Sequence, residues 1–127
     1  MFRLIYVSDV NQDLLDSDAL ASLLTKARKN NAELDLTGML LCDYVNFFQV
    51  LEGDEQQVRK LFDVIKRDQR HTNVVIVAEE SCSDRLFGQW RMGFSSLENV
   101  DKQDLSRLNA EEAKALAATY ANFHEKS

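Results

Sequence analysis

Gln49 is a polar residue inside a segment that otherwise reads as a buried strand. It lies between Phe47 and Leu51, and because successive strand residues alternate between faces, these three side chains point the same way. A buried amide without partners costs about 1 to 3 kcal/mol, so both its donor and its acceptor should be occupied. Such an amide can exchange donor and acceptor by rotation or tautomerisation. The pattern therefore predicts a polar site around Gln49.

A phenol and two further amides also need hydrogen-bond partners if they are buried. Tyr6 shares a strand face with Leu4, so its hydroxyl needs a partner if it is buried, and Asn30 and Asn31 end the first predicted helix. Taken singly, each residue has an ordinary explanation: helix termination for the asparagines, a solvent-facing hydroxyl for Tyr6, and a backbone hydrogen bond for Gln49. Taken together, these groups favour a binding site for a flat polar ligand.

The composition narrows the class of protein. The 127 residues, 45% of them hydrophobic, suffice for one compact domain with a buried core. The formal net charge of -6 argues against nucleic acid as a partner, because nucleic-acid-binding surfaces are usually basic. Cys42 and Cys82 lie far apart without CxxC spacing, which predicts reduced thiols, no metal site and a cytoplasmic protein. No apolar stretch suits a signal peptide or a membrane span, so no membrane association is expected.

The hydrophobic periodicity predicts seven elements in the order β-α-β-β-α-β-β. The predicted strands cover 2–8, 36–42, 46–52, 74–78 and 87–95. Ser17 or Asp18 is the predicted cap of one helix, and Asp54 with Gln57 is the predicted capping box of a second. The run 74–78 is continuously apolar, as in a strand covered on both faces, and Trp90, Met92 and Phe94 alternate along the last strand. This order predicts a ferredoxin-like α+β sandwich with two helices on one face of a mostly antiparallel sheet.

The other face of this sheet needs a cover, because the adjacent apolar residues Phe47 and Phe48 point to opposite faces. The C-terminal helical extension, 97–127, offers one. Asn109 and Glu112 form a predicted capping box, which precedes a helical stripe of Ala113, Leu116, Ala117, Tyr120 and Phe123. The extension could cover its own sheet or that of a neighbouring subunit. We expect 1–96 to form the core of the domain and the extension to serve as a cap, an output element or an oligomerisation element.

Five blocks of the sequence, in this order, resemble the signature blocks of BLUF domains, which are flavin-binding blue-light sensors. The blocks are 27–32 (ARKNNA), 36–41 (LTGMLL), 46–53 (NFFQVLEG), 67–71 (RDQRH) and 87–94 (FGQWRMGF). The resemblance implies a non-covalently bound flavin, FAD or alternatively FMN, with its ring between the two helices and against the sheet. The sequence has no Gly-rich nucleotide-binding motif that would indicate such a cofactor by itself.

The resemblance also implies roles for individual residues. Tyr6 would donate an electron and a proton to the light-excited flavin. Gln49 would relay the proton, and its rearranged hydrogen bond would give a reversible, red-shifted signalling state. Asn31 would bond the polar edge of the flavin ring, with Asn30 close behind it. The blocks that lie near the flavin in the family add Arg28, Asp68, Arg70 and His71, although a solvated basic helix end is the alternative for the last two.

Trp90 and Met92 match the strand that is associated with signal relay in the family. Core packing is an ordinary role for such residues, and we favour packing for Trp90 and signalling for Met92. The segment from Val100 onward is the predicted responsive element. We expect no enzyme activity, a homo-oligomer, and a separate downstream protein partner.

Two other classes of protein share the predicted topology. A flavin-free ferredoxin-like interaction module would be colourless. An acylphosphatase-like hydrolase needs a phosphate cradle after the first strand, and the segment 8–13 lacks the glycine and arginine that would form one. The hydrolase is therefore the weaker alternative.

Overall fold

The computed structural model describes residues 1–14, 16–88, 90–96 and 104–125. In these ranges the chain forms five strands, three α-helices and a short 3-10 helix, Leu105–Arg107. The strands are β1 (Phe2–Val10), β2 (Thr37–Cys42), β3 (Asn46–Gly53), β4 (His71–Ser81) and β5 (Gly93–Ser96). The helices are α1 (Ser17–Glu33), α2 (Glu55–Ile65) and α3 (Ala110–Glu125).

The strands form one mixed sheet in the order β4-β1-β3-β2-β5. The pairs among β1 to β4 are antiparallel, and β5 adds to β2 in parallel. This is the ferredoxin-like α+β arrangement that the sequence predicts, extended by one edge strand. β1 and β3 occupy the middle of the sheet and are buried almost throughout. Their register places Tyr6 directly opposite Gln49.

Each face of the sheet carries its own hydrophobic core. On one face, α1 and α2 pack over side chains that include Leu4, Leu40, Phe47 and Leu51. On the other face, α3 and the 3-10 helix pack over side chains that include Ile5, Met39, Phe48 and Val50. The buried positions of α3 are Ala113, Leu116, Ala117 and Ala121. In this structure the described part of the C-terminal extension therefore packs on its own sheet.

The helix starts follow from short polar caps. Asn109 and Glu112 form the predicted reciprocal box, with main-chain N–H to side-chain oxygen distances of 3.2 and 2.8 Å. Asp54 accepts from the first backbone N–H groups of α2. The cap of α1 is Asp16, one or two residues before the predicted caps, Ser17 and Asp18. The proposed boundary at 97, the residue Val100 and the side chain of Phe123 lie outside the part of the chain that is described.

The prediction that 74–78 is covered on both faces is wrong. The strand lies at the edge of the sheet, with the side chain of Val75 54% exposed and that of Ile76 38% exposed. Its pairing with β1 shifts register between Ile5 and Tyr6 and again between Val7 and Asp9. Because such irregularities interrupt the alternation of faces, two neighbouring apolar residues can both face outward. A continuous apolar run indicates a strand but not its place in a sheet.

The prediction of one long strand over 87–95 is also wrong. The strand begins only at Gly93, after a turn in which the Trp90 N–H donates to the Phe87 carbonyl (3.0 Å). The ring of Trp90 packs directly on Gly93, where any Cβ atom would overlap it. Trp90 and Met92 therefore do not share a face. Trp90 packs against the core under α3, whereas Met92 is buried in the core under α1 and α2.

Candidate functional site

A cavity lies between α1, α2 and the face of the sheet that they cover. It contains about 640 Å³ of unfilled space, including the part open to solvent. Seven residues proposed from the sequence line it: Tyr6, Asn30, Asn31, Gln49, Asp68, Arg70 and His71. The rest of the lining is mainly apolar. The fold thus brings together most of the polar groups that the sequence singles out.

Tyr6 and Gln49 form a buried pair in the wall of this cavity. The Tyr6 hydroxyl donates a hydrogen bond to Gln49 Oε1, and the two residues are 2% and 6% exposed. Burial raises the pKa of the Tyr6 phenol well above its ordinary value, and the negative charge of Asp68 adds to this effect. The phenol therefore keeps its proton at neutral pH, directed at an amide carbonyl.

The other end of the Gln49 amide also has a partner. Its Nε2 lies 3.6 Å from Met92 Sδ, within reach of a weak hydrogen bond to sulfur. Met92 is itself 3% exposed. The amide is thus held between a strong donor, the Tyr6 hydroxyl, and a weak acceptor, the Met92 thioether. The Tyr6 donor thus favours the orientation of the amide in which Oε1 faces the hydroxyl.

Asn31 lines the cavity, and its side-chain acceptor is buried. The residue is fully buried near the end of α1, and its Nδ2 donates to the Arg91 carbonyl. Among the described residues, Asn31 Oδ1 has no hydrogen-bond partner. A buried polar atom without a partner is costly, which favours a ligand that donates an N–H group at this point. Asn30 lines the same cavity but is only half-buried.

Asp68 and Arg70 form an ion pair in the cavity lining. Arg70 Nη2 lies 2.8 Å from Asp68 Oδ2, and Arg70 Nε also donates to both carboxylate oxygens. The hydrogen bonds from Arg70 hold the pKa of the Asp68 carboxyl below its usual value. Because the two charges compensate each other, this part of the lining is polar without a net charge.

His71 closes one side of the cavity. Its Nε2 lies 2.7 Å from the Ile65 carbonyl, which can only accept, so this nitrogen carries a proton. Its Nδ1 lies 2.8 Å from the Ser8 hydroxyl. The ring meets the rings of Tyr6 and Phe47 edge-on, with centroids 6.0 and 6.1 Å apart. Both nitrogens are therefore occupied within the protein, and His71 forms part of the wall beside Tyr6.

Arg28 and Trp90, which the sequence also proposes, do not line the cavity. Arg28 is outside the cavity lining, and its Nε donates to the Met92 carbonyl at 3.1 Å. Trp90 stacks on Phe87 with ring centroids 6.5 Å apart, on the α3 side of the sheet. Met92 therefore contacts the Tyr6–Gln49 pair, whereas Trp90 does not share its core.

Two helical stripes also line the cavity, although their sequence pattern indicates only the apolar faces of two helices and not a site. On α1, Leu23, Lys26 and Ala27 continue the lining that ends with Asn30 and Asn31. On α2, the lining residues are Leu61, Val64 and Ile65. Both sets recur at the three-and-four spacing of one helical face, which predicts that they are buried but not that they line a cavity. Lys26 adds an ammonium group to the lining.

The chain matches known proteins over most of its length. A family model described as "BLUF: Sensors of blue-light using FAD" matches residues 1–93. The photoactivated adenylate cyclase subunit alpha of Euglena gracilis is 32% identical over 101 residues, 79% of this chain and 10% of that protein. The blue light- and temperature-regulated antirepressor BluF of Escherichia coli (strain K12) is 32% identical over 102 residues, 80% of this chain and 25% of that protein. The chain thus spans only a small part of these relatives.

Solved structures agree with the observed fold. BlsA in its ground state superposes with a TM-score of 0.81 at 30% identity, over 91% of this chain and 83% of that one. BlsA in its photo-activated state superposes with a TM-score of 0.79 at 27% identity, over 94% of both chains.

Proposed function

The chain belongs to the BLUF family of blue-light sensors, and on that premise we propose that it binds FAD in the cavity between α1 and α2 and uses Tyr6 and Gln49 as its photochemical switch. The observation that carries this proposal is the buried hydrogen bond from Tyr6 to Gln49, in a cavity whose wall also holds the unsatisfied Asn31 Oδ1. Flavin binding is a property of the family. The choice of FAD over FMN and the roles of the residues are the proposal.

The lining fits the chemistry of a flavin ring. An isoalloxazine ring has an apolar end and a polar end with carbonyl groups and one N–H group. Asn31 Oδ1 would accept from that N–H, and the Gln49 amide would contact a carbonyl group. The apolar side chains of α1 and α2 would cover the ring, and Lys26 would pair with a phosphate of the cofactor tail. When bound, the flavin supplies a chromophore for blue light and an acceptor for one electron.

Tyr6 is the proposed donor of that electron. Because burial keeps its pKa high, the phenol does not release a proton by itself. An oxidised phenol is strongly acidic, so loss of the electron makes the proton leave as well. Gln49 Oε1, which already accepts the Tyr6 hydrogen bond, is where this proton arrives. Return of the electron and a proton to Tyr6 restores the phenol.

Gln49 is left in a changed state when the proton has gone back. In one version, the amide rotates, so that Nε2 faces Tyr6 and Oε1 faces the Met92 thioether, which has no proton to donate. In the other version, Oε1 keeps the proton that came from Tyr6 and Nε2 gives up one of its own to restore the phenol, so that the amide becomes its tautomer with a hydroxyl and an imine nitrogen. Either change alters the contacts of Gln49 with both Tyr6 and Met92. A coupling of about 1 to 3 kcal/mol would suffice to transmit this difference to another element.

The output of the switch is proposed to be a change in protein contacts. BLUF segments match here within a photoactivated adenylate cyclase and an antirepressor, which makes a downstream effector plausible for this chain. We propose a homo-oligomer that engages a separate protein and has no catalysis of its own, with the segment that follows residue 100 as the responsive element. A cytoplasmic location stays a prediction from the cysteine usage. Among the described helices, none has the length and apolar character needed to cross a bilayer.

An absorption spectrum of the purified protein before and after blue light tests the proposal. A flavin spectrum that shifts to the red on illumination and returns in the dark is the expected result. Release of the cofactor by denaturation, followed by chromatography against FAD and FMN standards, identifies it. A colourless protein that takes up neither flavin would contradict the proposal and support the flavin-free interaction module.

A further inference from the structure

Glu52 is a buried carboxylate on β3, three residues after Gln49 and on the opposite face of the strand. It is fully buried, and donors surround it. Arg3 Nε lies 2.9 Å from Glu52 Oε2, and the Thr37 hydroxyl lies 3.2 Å from Oε1. The backbone N–H groups of Leu86 and Phe87 donate to Oε2 and Oε1 at 2.7 and 2.9 Å. Both carboxylate oxygens are therefore fully engaged.

A buried ion pair is a poor device for stability alone. The cost of removing two charges from water often exceeds their mutual attraction, and well-packed apolar residues are frequently as good or better. Hydrogen bonds to a charged acceptor are, however, strong and directional. The geometry at Glu52 therefore indicates that the carboxylate fixes the position of its partners. Arg3 and Thr37 lie on paired strands, which already hold their backbone in place. Leu86 and Phe87 lie outside the strands, so theirs are the N–H groups that the carboxylate can position.

Those two residues begin the irregular segment that carries Met92. Because the described part of 82–92 is not paired as a strand, its place depends on individual bonds. Such bonds reach the carbonyl groups of Trp90, Arg91 and Met92 from Gly38, Asn31 and Arg28, respectively. Glu52 bonds the start of the segment, at Leu86 and Phe87, and it lies on the same strand as Gln49.

We propose that Glu52 is a positioning residue for the Gln49 switch, because it holds Leu86 and Phe87 beside β3 and so helps to keep Met92, later in the same segment, beside the Gln49 amide. This inference rests on the proposed function. Gln49 and Glu52 are fixed relative to each other by the central strand, and Met92 reaches Gln49 at one end of the segment while Leu86 and Phe87 reach Glu52 at the other. Loosening the Glu52 end leaves the segment held only by the bonds at Trp90, Arg91 and Met92, which weakens the contact of the Met92 thioether with the Gln49 amide.

The test compares Glu52→Gln with Glu80→Gln in the flavin-bound protein. Glu80 also accepts from Arg3, at 2.6 Å, but no contact to Leu86 or Phe87 is found for it in the described structure, so it is the matched control. Hydrogen exchange in the dark should be about tenfold faster at the Leu86 and Phe87 amides of Glu52→Gln. Its dark recovery after illumination should be about tenfold slower than that of the wild type, whereas Glu80→Gln should stay within about twofold.

A double-mutant cycle with Met92→Leu separates positioning from a general loss of stability. If Glu52 acts through Met92, Glu52→Gln should change dark recovery by less than about twofold in the Met92→Leu background. Should Glu52→Gln fail to fold, Glu52→Asp decides the same question, because it keeps a charge for Arg3 while shortening the reach to Leu86 and Phe87. The inference is wrong if the wild type shows the reversible shift while the Glu52 variants recover in the dark as fast as Glu80→Gln, or faster. A wild-type protein without any reversible shift overturns instead the proposed function.

Discussion

Replacement of Tyr6 by phenylalanine removes one hydroxyl group from a buried pair and leaves the ring in place. The ring contacts with Phe62 and His71, at centroid distances of 5.6 and 6.0 Å, do not involve the hydroxyl. What is lost is the hydrogen bond to Gln49 Oε1, in a residue that is 6% exposed. An acceptor left buried without its donor costs about 1 to 3 kcal/mol. The variant should therefore fold and bind flavin but be less stable than the wild type.

Two assays follow from this single change. Urea denaturation of the flavin-saturated proteins should show a midpoint about 1 M lower for Tyr6→Phe, since small proteins lose roughly 1 to 3 kcal/mol per M of urea. Light-minus-dark spectra should show no reversible red shift, because phenylalanine has no proton to give with the electron. Tyr44→Phe is the control: Tyr44 is 44% exposed, so its stability should change by no more than about 0.5 kcal/mol and its shift should be normal.

A normal reversible shift in Tyr6→Phe would refute the assignment of Tyr6 as the donor of electron and proton. A lost shift together with lost flavin would show instead that the hydroxyl is needed for binding. Equal urea midpoints for Tyr6→Phe and the wild type would contradict the reasoning on the buried hydrogen bond.

Three further predictions concern the cofactor, the tail and pH. Asn31→Leu removes the unsatisfied acceptor and should weaken flavin binding by about tenfold or more, measured by titration with fluorescence quenching. Leu116→Ala deletes a side chain that α3 buries against the sheet, and should lower the free energy of unfolding by about 2 to 5 kcal/mol; an effect below about 0.5 kcal/mol would mean that the tail does not cover the sheet in solution. The pKa of Tyr6 is higher in the folded protein than its value of 10.0 in the unfolded chain. The stability that the Tyr6 hydroxyl contributes is therefore complete below pH 10 and is lost as the pH rises above that value. The stability difference between the wild type and Tyr6→Phe, followed by urea denaturation, should therefore be constant from pH 7 to 9 and shrink above pH 10.

The sequence predicts the central elements of the fold well and its edges poorly. The hydrophobic pattern predicts an element well where the element lies in the core, as around Phe47 to Leu51 on β3, which is buried on both faces. The run 74–78 misleads because apolar content does not distinguish a central strand from an edge strand. The segment before Gly93 misleads because alternation of Trp90 and Met92 resembles a strand, whereas a turn and the close packing of Trp90 on Gly93 direct these side chains to different cores.

The candidate site could likewise be predicted only in part. That Tyr6 and Gln49 need partners follows from their place on buried strands, and their direct pairing needs only the register of β1 against β3. The orphaned Asn31 Oδ1 and the contact of Gln49 with Met92 depend on where the irregular segment 86–92 lies, which no local pattern encodes. The role of Glu52 is hidden for the same reason, because its partners are backbone groups of that segment.

The light-minus-dark absorption spectrum of Gln49→Leu, with flavin bound, tests the central claim most directly. Leucine is close to glutamine in size and keeps the packing between Phe47 and Leu51, but it has neither a donor nor an acceptor. The protein should remain yellow and show no reversible red shift under illumination that shifts the wild type. A normal reversible shift in Gln49→Leu would contradict the account, because the switch could then not be the Gln49 amide.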